Sequence, residues 1–260
     1  MWNGTIVGLV ACLHNNFLFI LCAVAPGFEA AYTRSMSVPV GEYDGRLFLP
    51  EISTEFGRIS VGHVFSLHHA GIQYFVTALH LFGPAGGLKH RIPSDALSAS
   101  IDRVRLHRVS DDEVVLDNLV PVDTDIGEPL SPAMEKPSAS GDIAAFLPDE
   151  DLGYDGFQLS DMDPKESDEH SLVGFQRFVA GVGIRKFRFR LIDIDEDRYV
   201  YEQIDRVDLS QMSGAPMIDE ADNVVSMMVG GVRTRNGAEL QFGVPLPDLH
   251  RYFDYVEEAM

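Results

Sequence analysis

Between Arg46 and Val244 the chain is cut into short runs rich in Val, Ile, Phe and Tyr, separated by turn residues. Helical periodicity appears only at its C-terminal end. Successive side chains of a strand point to opposite faces, so period-two runs of this length fit a sheet and leave little room for helices. Residues 61–67, ended by His68-His69-Ala70-Gly71, and residues 73–77 predict a hairpin with Gly71 in its turn. Residues 101–106 and 113–116 alternate, and 143–147 is a short apolar run after Gly141. Strand-like runs resume at 172–175, 186–194, 199–201, 224–232 and 240–244. Residues 148–170 differ: they are dense in Asp and Glu without periodicity, and predict a long solvated surface connection. From Pro247 onward Leu249, Tyr252, Phe253 and Val256 fall on one helical face. Many short strands and one terminal helix, with no internal repeat, predict a closed antiparallel β architecture.

Composition narrows the functional classes. The chain has 260 residues, 45% of them hydrophobic, which suffices for a core of ordinary size. All-β folds commonly run to roughly 200–250 residues as one domain. Lys and Arg number 20 against 40 Asp and Glu, a net charge of −20. Binding to a phosphate backbone depends on Lys and Arg displacing counterions, so nucleic acid is not an expected partner. The one basic run, Arg185-Lys186-Phe187-Arg188-Phe189-Arg190, alternates with Phe and reads as the solvated face of a strand. Both cysteines, Cys12 and Cys22, lie near the N-terminus, so the body carries no disulfide, thiolate nucleophile or cysteine metal site. His63, His68, His69 and His90 supply no zinc spacing; no metal and no cofactor are expected.

Residues 4–28 carry no formal charge. Within them Phe17 to Ala25 resembles the apolar core of an export signal and ends in Ala23-Val24-Ala25. No Lys or Arg precedes this run, and Pro26 follows the Ala-x-Ala pattern. Residues 1–30 are therefore read as a signal peptide or a membrane anchor, with Met36 an alternative start. The expectation is an exported or N-terminally anchored protein whose folded domain spans 36–260, with contact to a membrane only through the first segment.

Three segments carry chemistry. Phe75-Val76-Thr77-Ala78-Leu79-His80 delivers a histidine just past a strand. Gly141-Asp142-Ile143-Ala144 places an acid at the head of an apolar strand. Gln211-Met212-Ser213-Gly214-Ala215-Pro216 precedes a turn and a long apolar strand. These segments resemble the chymotrypsin/trypsin-like serine peptidase family: Thr77-Ala78-Leu79-His80 is similar to its Thr-Ala-Ala-His, Gly141-Asp142-Ile143-Ala144 to its Asp-Ile-Ala strand, and Ser213-Gly214-Ala215-Pro216 to its Ser-Gly-Gly-Pro. The order His, Asp, Ser is also that family's order. The similarity runs in patches from about Arg58 to Pro245. Val173-Gly174-Phe175 and Phe242-Gly243-Val244-Pro245 belong to it.

The resemblance implies two six-stranded antiparallel β-barrels of trypsin type with a C-terminal helix and a cleft between them. It implies a protein or peptide substrate cleaved through an acyl-enzyme. His80 would be the general base, Asp142 its orienting acid and Ser213 the nucleophile. Backbone N–H groups of Gln211 and Ser213 would face the oxyanion, and Gly230-Gly231 would pair with the substrate backbone. Val207 is a candidate floor for the specificity pocket. Asp125 is the rival acid. Two positions depart from the family: Gln211 stands where glycine is usual, and Met212 where Asp or Asn is usual. Glycine reaches positive φ freely and glutamine does so at a cost. The oxyanion hole is thus preformed, induced or absent, and a non-catalytic binding module on the same fold is the alternative reading.

Overall fold

The computed structural model describes residues 42–130, 138–148, 153–175, 183–205, 209–233 and 239–260, with the backbone of three two-residue strands at 13–14, 17–18 and 36–37. The expectations placed on residues 1–30 lie largely outside the described residues. There, β1 (Leu13–His14) and β2 (Phe17–Leu18) pair with each other within the unit Met1–Thr33. No helix among the described residues is long and apolar enough to cross a membrane.

The unit Arg34–Met260 opens with β3 (Met36–Ser37). The first sheet then takes β4 (Leu47–Thr54), β5 (Gly57–Ile59), β6 (Val64–His69), β7 (Ile72–Thr77), β8 (Ile101–Arg108), β9 (Val114–Asp117), β10 (Val120–Pro121), β11 (Ala144–Leu147) and β12 (Phe157–Gln158). Its order is β10-β11-β7-β6-β4-β8-β9, with β5 beside β4 and β12 beside β6. The hairpin predicted around Gly71 is present. Pairing extends to His69↔Ile72, two residues beyond the predicted strand end, because Ala70 and Gly71 both take positive φ (49° and 81°). Two such residues match the twist of the flanking strands.

The second sheet takes β13 (Glu169–Gly174), β14 (Arg185–Asp195), β15 (Arg198–Gln203), β16 (Pro216–Ile218), β17 (Val224–Arg233) and β18 (Glu239–Val244). Its order β13-β16-β17-β18-β15-β14 closes through pairing of β14 with β13, and β3 adds to β14 at Met36↔Lys186. This is a closed six-stranded antiparallel barrel. The fold is all-β, as expected. The first sheet, however, holds nine strands among the described residues. Short connection segments add to it, one of them parallel (β12 on β6).

Period-two burial gives each sheet its core. Phe187, Phe189 and Leu191 point inward from β14 while Arg188 and Arg190 stay exposed. Lys186 pairs with Asp222, Arg188 with Asp205 and Arg190 with Glu169. The basic run is therefore matched by acids. In the first sheet Phe48, Phe65, Phe75 and Phe146 are fully buried. The C-terminal helix (Leu246–Ala259) buries Leu249, Tyr252, Phe253 and Val256, as its spacing predicts, and seats Phe253 4.8 Å from the Tyr74 ring.

The acidic connection corrects an expectation. Its described charged residues are exposed, but Phe157 and Leu159 are buried. Phe157 pairs with Leu67, and Leu159 bridges to Val224 on β17. Apolar area removed from water is worth about 25 cal/mol per Å², so Phe157 and Leu159 anchor a segment whose average composition reads as solvated.

Candidate active site

Strand register brings the first two site residues together. Ala144 on β11 pairs with Thr77 on β7. Asp142, two residues before Ala144, thus arrives beside His80, three residues after Thr77. His80 sits in a single 3₁₀ turn, Leu79–Leu81. Asp142 is completely buried and is held by two hydrogen bonds from His80. The His80 backbone N–H donates to Oδ1 at 2.7 Å, and Nδ1–H donates to Oδ2 at 2.6 Å. The Leu79 N–H reaches the Asp142 carbonyl at 3.4 Å. A carboxylate with one backbone and one ring donor sets both the position and the tautomer of the imidazole.

The ring's other nitrogen is thereby left as an acceptor. Ser213 Oγ lies 3.0 Å from His80 Nε2, the distance of a hydroxyl donating to an imidazole. Carboxylate, imidazole and hydroxyl, separated by 62 and 133 residues from His80, stand in one row. Asp125 is elsewhere: its Oδ1 accepts from the Tyr255 hydroxyl at 2.5 Å.

Ser213 lies in a tight turn ahead of β16. Met212 N–H donates to Leu209 O, Ala215 N–H to Met212 O, and Gly214 N–H to Met228 O. Gly214 has φ +83°, and a Cβ there would overlap the His63 carbonyl and lie 2.7 Å from Thr77 Oγ1. Only glycine tolerates both that φ and that approach. The serine loop is in this way pressed onto the end of the first sheet. His63 N–H donates to the Ser213 carbonyl at 2.8 Å across the seam.

Gln211, at the position where glycine was expected, has φ +71°. It adopts the left-handed conformation despite carrying a side chain. Among the described residues no acceptor engages the N–H of Gln211 or of Ser213. Met212 is buried, with its sulfur over Gly174: a Cβ on that glycine would lie 2.5 Å from Sδ. Met therefore fills an apolar niche.

Gly230 and Gly231 lie on β17 beyond its last pairing with β16 (Pro216↔Met227). Their strand continues against β18, with Gly230 opposite Phe242 and Gly231 opposite Gln241. Among the described strands, one edge of β17 is open from Val229 onward. Val207 lies outside the described residues.

The other histidines are dispersed. His68 Nε2 bonds the Tyr154 carbonyl at 3.1 Å, and His90 packs edge-on against Phe56. His69 faces Asp254 at 2.8 Å and, with Glu257, forms the one three-residue grouping of possible metal ligands among the described residues; both of its acids are exposed. His63, read from the sequence only as a possible metal ligand, is instead buried beneath the serine loop. Its Nδ1 is 3.0 Å from the Gln211 carbonyl, and Phe175 N–H donates to its Nε2 at 2.9 Å.

No protein-family model matches the chain, and no curated protein matches it. Solved structures do. A serine endoprotease from Yersinia pestis superposes with TM-score 0.52 at 9% identity, over 82% of this chain and 63% of that one. The thermostable serine protease AL20 from an extremophilic microorganism superposes with TM-score 0.51 at 12% identity, over 82% of this chain and 96% of that one. The MamO protease domain from Magnetospirillum magneticum, in apo form, gives TM-score 0.49 at 12% identity, over 80% and 96%.

Proposed function

From the trypsin-like fold that the chain shares with two of these proteases, we propose that it is a serine endopeptidase acting on protein or peptide substrates through an acyl-enzyme, without a cofactor. The observation that carries the reading is the row Asp142 Oδ2, His80 Nδ1, His80 Nε2, Ser213 Oγ, at 2.6 and 3.0 Å. A serine hydroxyl is a weak nucleophile at neutral pH and needs an adjacent base. His80 takes the Ser213 proton as Oγ attacks the scissile carbonyl. Asp142 stabilises the imidazolium so formed. His80 then gives the proton to the leaving amine. Water repeats the sequence on the acyl-enzyme and releases the second product.

The carbonyl oxygen becomes an oxyanion during attack and needs donors that are already aimed. Gln211 and Ser213 N–H groups, unengaged within the described protein, supply them. Each is worth about 10²–10³ in rate. The open edge of β17 at Gly230 and Gly231 is where an extended substrate would add as a strand. The apolar segment ahead of residue 36 makes an exported or anchored peptidase the accompanying proposal, tested by the N-terminal mass of the mature protein.

The alternative of a non-catalytic module rests on Gln211 and Met212. The positive φ of Gln211 and the apolar seat of Met212 favour the peptidase. A serine-directed fluorophosphonate probe should label the wild type and leave Ser213→Ala unlabelled. Turnover of a quenched peptide panel should fall about 10⁶-fold in that variant, as when a nucleophile is removed from a comparable triad. Absence of labelling in the wild type, or labelling that survives the substitution, would defeat the proposal. Ester substrates in the same panel separate peptide from small-ester hydrolysis.

A further inference from the structure

We infer that His63 is a positioning residue, whose neutral Nδ1–H ring holds the Gln211 carbonyl and so keeps the Gln211 N–H aimed at the oxyanion; this rests on the peptidase reading above.

The tautomer follows from the partners. Phe175 N–H can only donate, and it is 2.9 Å from Nε2. That nitrogen must be unprotonated. The ring proton is then on Nδ1, which donates to the Gln211 carbonyl at 3.0 Å. His63 also uses its backbone: its N–H donates to the Ser213 carbonyl at 2.8 Å, and its carbonyl accepts from Thr77 Oγ1 at 2.7 Å. One buried residue thus grips the carbonyls of Gln211 and Ser213, the two residues whose N–H groups face the substrate. In the left-handed conformation a residue's N–H and carbonyl point in roughly opposite directions, so with the Gln211 carbonyl held on the protein side its N–H faces the other side.

The magnitudes explain why such a grip is needed. A non-glycine residue in the left-handed region costs roughly 1–2 kcal/mol. One hydrogen bond contributes about 0.5–1.5 kcal/mol net. Left alone, Gln211 would relax to negative φ, and its preceding peptide would turn the N–H away. The His63 bond and the burial of Met212 over Gly174 together offset that preference. Glycine would need neither. The imidazole therefore substitutes for a conformational freedom that the sequence lacks at position 211.

Two variants of the full chain separate positioning from simple stability. His63→Leu removes both ring partners, whereas His63→Gln keeps one donor and one acceptor. The leucine variant should lose about 10²-fold in kcat with KM within about twofold, the signature of a lost oxyanion donor. The glutamine variant should recover at least about tenfold of that loss. Nitrogen-15 spectra of the histidine-labelled wild type, assigned by the signal missing in His63→Gln, should show an Nδ1–H, Nε2-unprotonated ring at neutral pH. An Nε2–H or doubly protonated ring would overturn the inference, as would a His63→Leu enzyme with wild-type kcat. Equal kcat losses in both variants at matched melting temperature would overturn it too. The tautomer is read without reference to turnover. A chain with the expected ring and no Ser213-dependent labelling sinks the peptidase reading alone. One that labels but carries an Nε2–H ring sinks the His63 inference alone.

Discussion

His80 and Asp142 are placed by ladder pairing, and Ser213 by a loop; the two halves of the site are held by different forces. On the first sheet, the Ala144↔Thr77 register sets the spacing, and a fully buried carboxylate binds both backbone and ring of His80. Shifting either strand by one residue would flip every inward side chain to the other face, so the core itself protects this arrangement. Around Ser213 the ladder reaches only as far as Gly214 and Ala215, which bond Met228 on β17. The loop depends on one non-glycine φ of +71°, a thioether seated over Gly174, and carbonyls gripped by His63. A site whose side chains are set by register can be intact while its backbone donors depend on local neighbours. The second half is where substitution should matter out of proportion to its size.

The largest effect that tests this contrast belongs to the first half. Asp142→Asn should lower kcat about 10⁴-fold, because an amide favours the wrong ring tautomer and cannot stabilise the imidazolium. Steady-state kinetics with a melting curve will show it. A loss under tenfold would mean that the ladder, without the charge, is enough. In the second half, Gln211→Val should cost about 10²-fold in kcat, since a β-branched residue is a true outlier at positive φ. Gln211→Gly should keep wild-type kcat; equal activity in all three would show that the loop conformation is irrelevant. Gly174→Ala drives a Cβ to within 2.5 Å of Met212 Sδ. It should destabilise by about 1–3 kcal/mol in urea titrations. Adding Met212→Ala should recover part of this, giving a measurable coupling between the two positions.

The smallest effect concerns the closed barrel. Burial holds the His170 imidazole below its ordinary value of 6.5, while Asp168 and Asp219 pull it back up. Its folded form is therefore the worse proton binder. Its contribution to stability is complete above 6.5 and declines as pH falls from there toward the depressed folded value. His170→Gln should flatten that part of the melting temperature's pH dependence. An unchanged slope would remove His170 as its source.

Much of this was readable from residue order. Alternation gave strands at 101–106, 186–194 and 240–244, and the helix face at Leu249, Tyr252, Phe253 and Val256, because period and burial are the same physical fact. His80, Asp142 and Ser213 are legible through their flanking strands together with the resemblance of their motifs to those of the trypsin-like family, and the structure brings all three together. What escaped was set by single contacts. Phe157 draws an acidic stretch into the first sheet, against the average of its neighbours. His63 finds its partners at Gln211 and Phe175, 148 and 112 residues away, and both are backbone groups, to which side-chain patterns are blind. The conformation of Gln211 is illegible in the sequence for the same reason: propensity disfavours a positive φ there, and only tertiary contacts decide.

The anchors of the serine loop share one property: methionine thioether, uncharged imidazole and peptide carbonyl carry no formal charge. Dissolved ions screen exposed charges over a Debye length of about 8 Å at physiological ionic strength, and they have nothing to screen here. Under the peptidase reading, the field of a chain with a net charge of −20 would draw cationic peptides and turn away acidic ones, and it would fade as salt is added. Salinity would then govern which peptides arrive and how fast, while the contacts that hold the serine loop would stay unscreened.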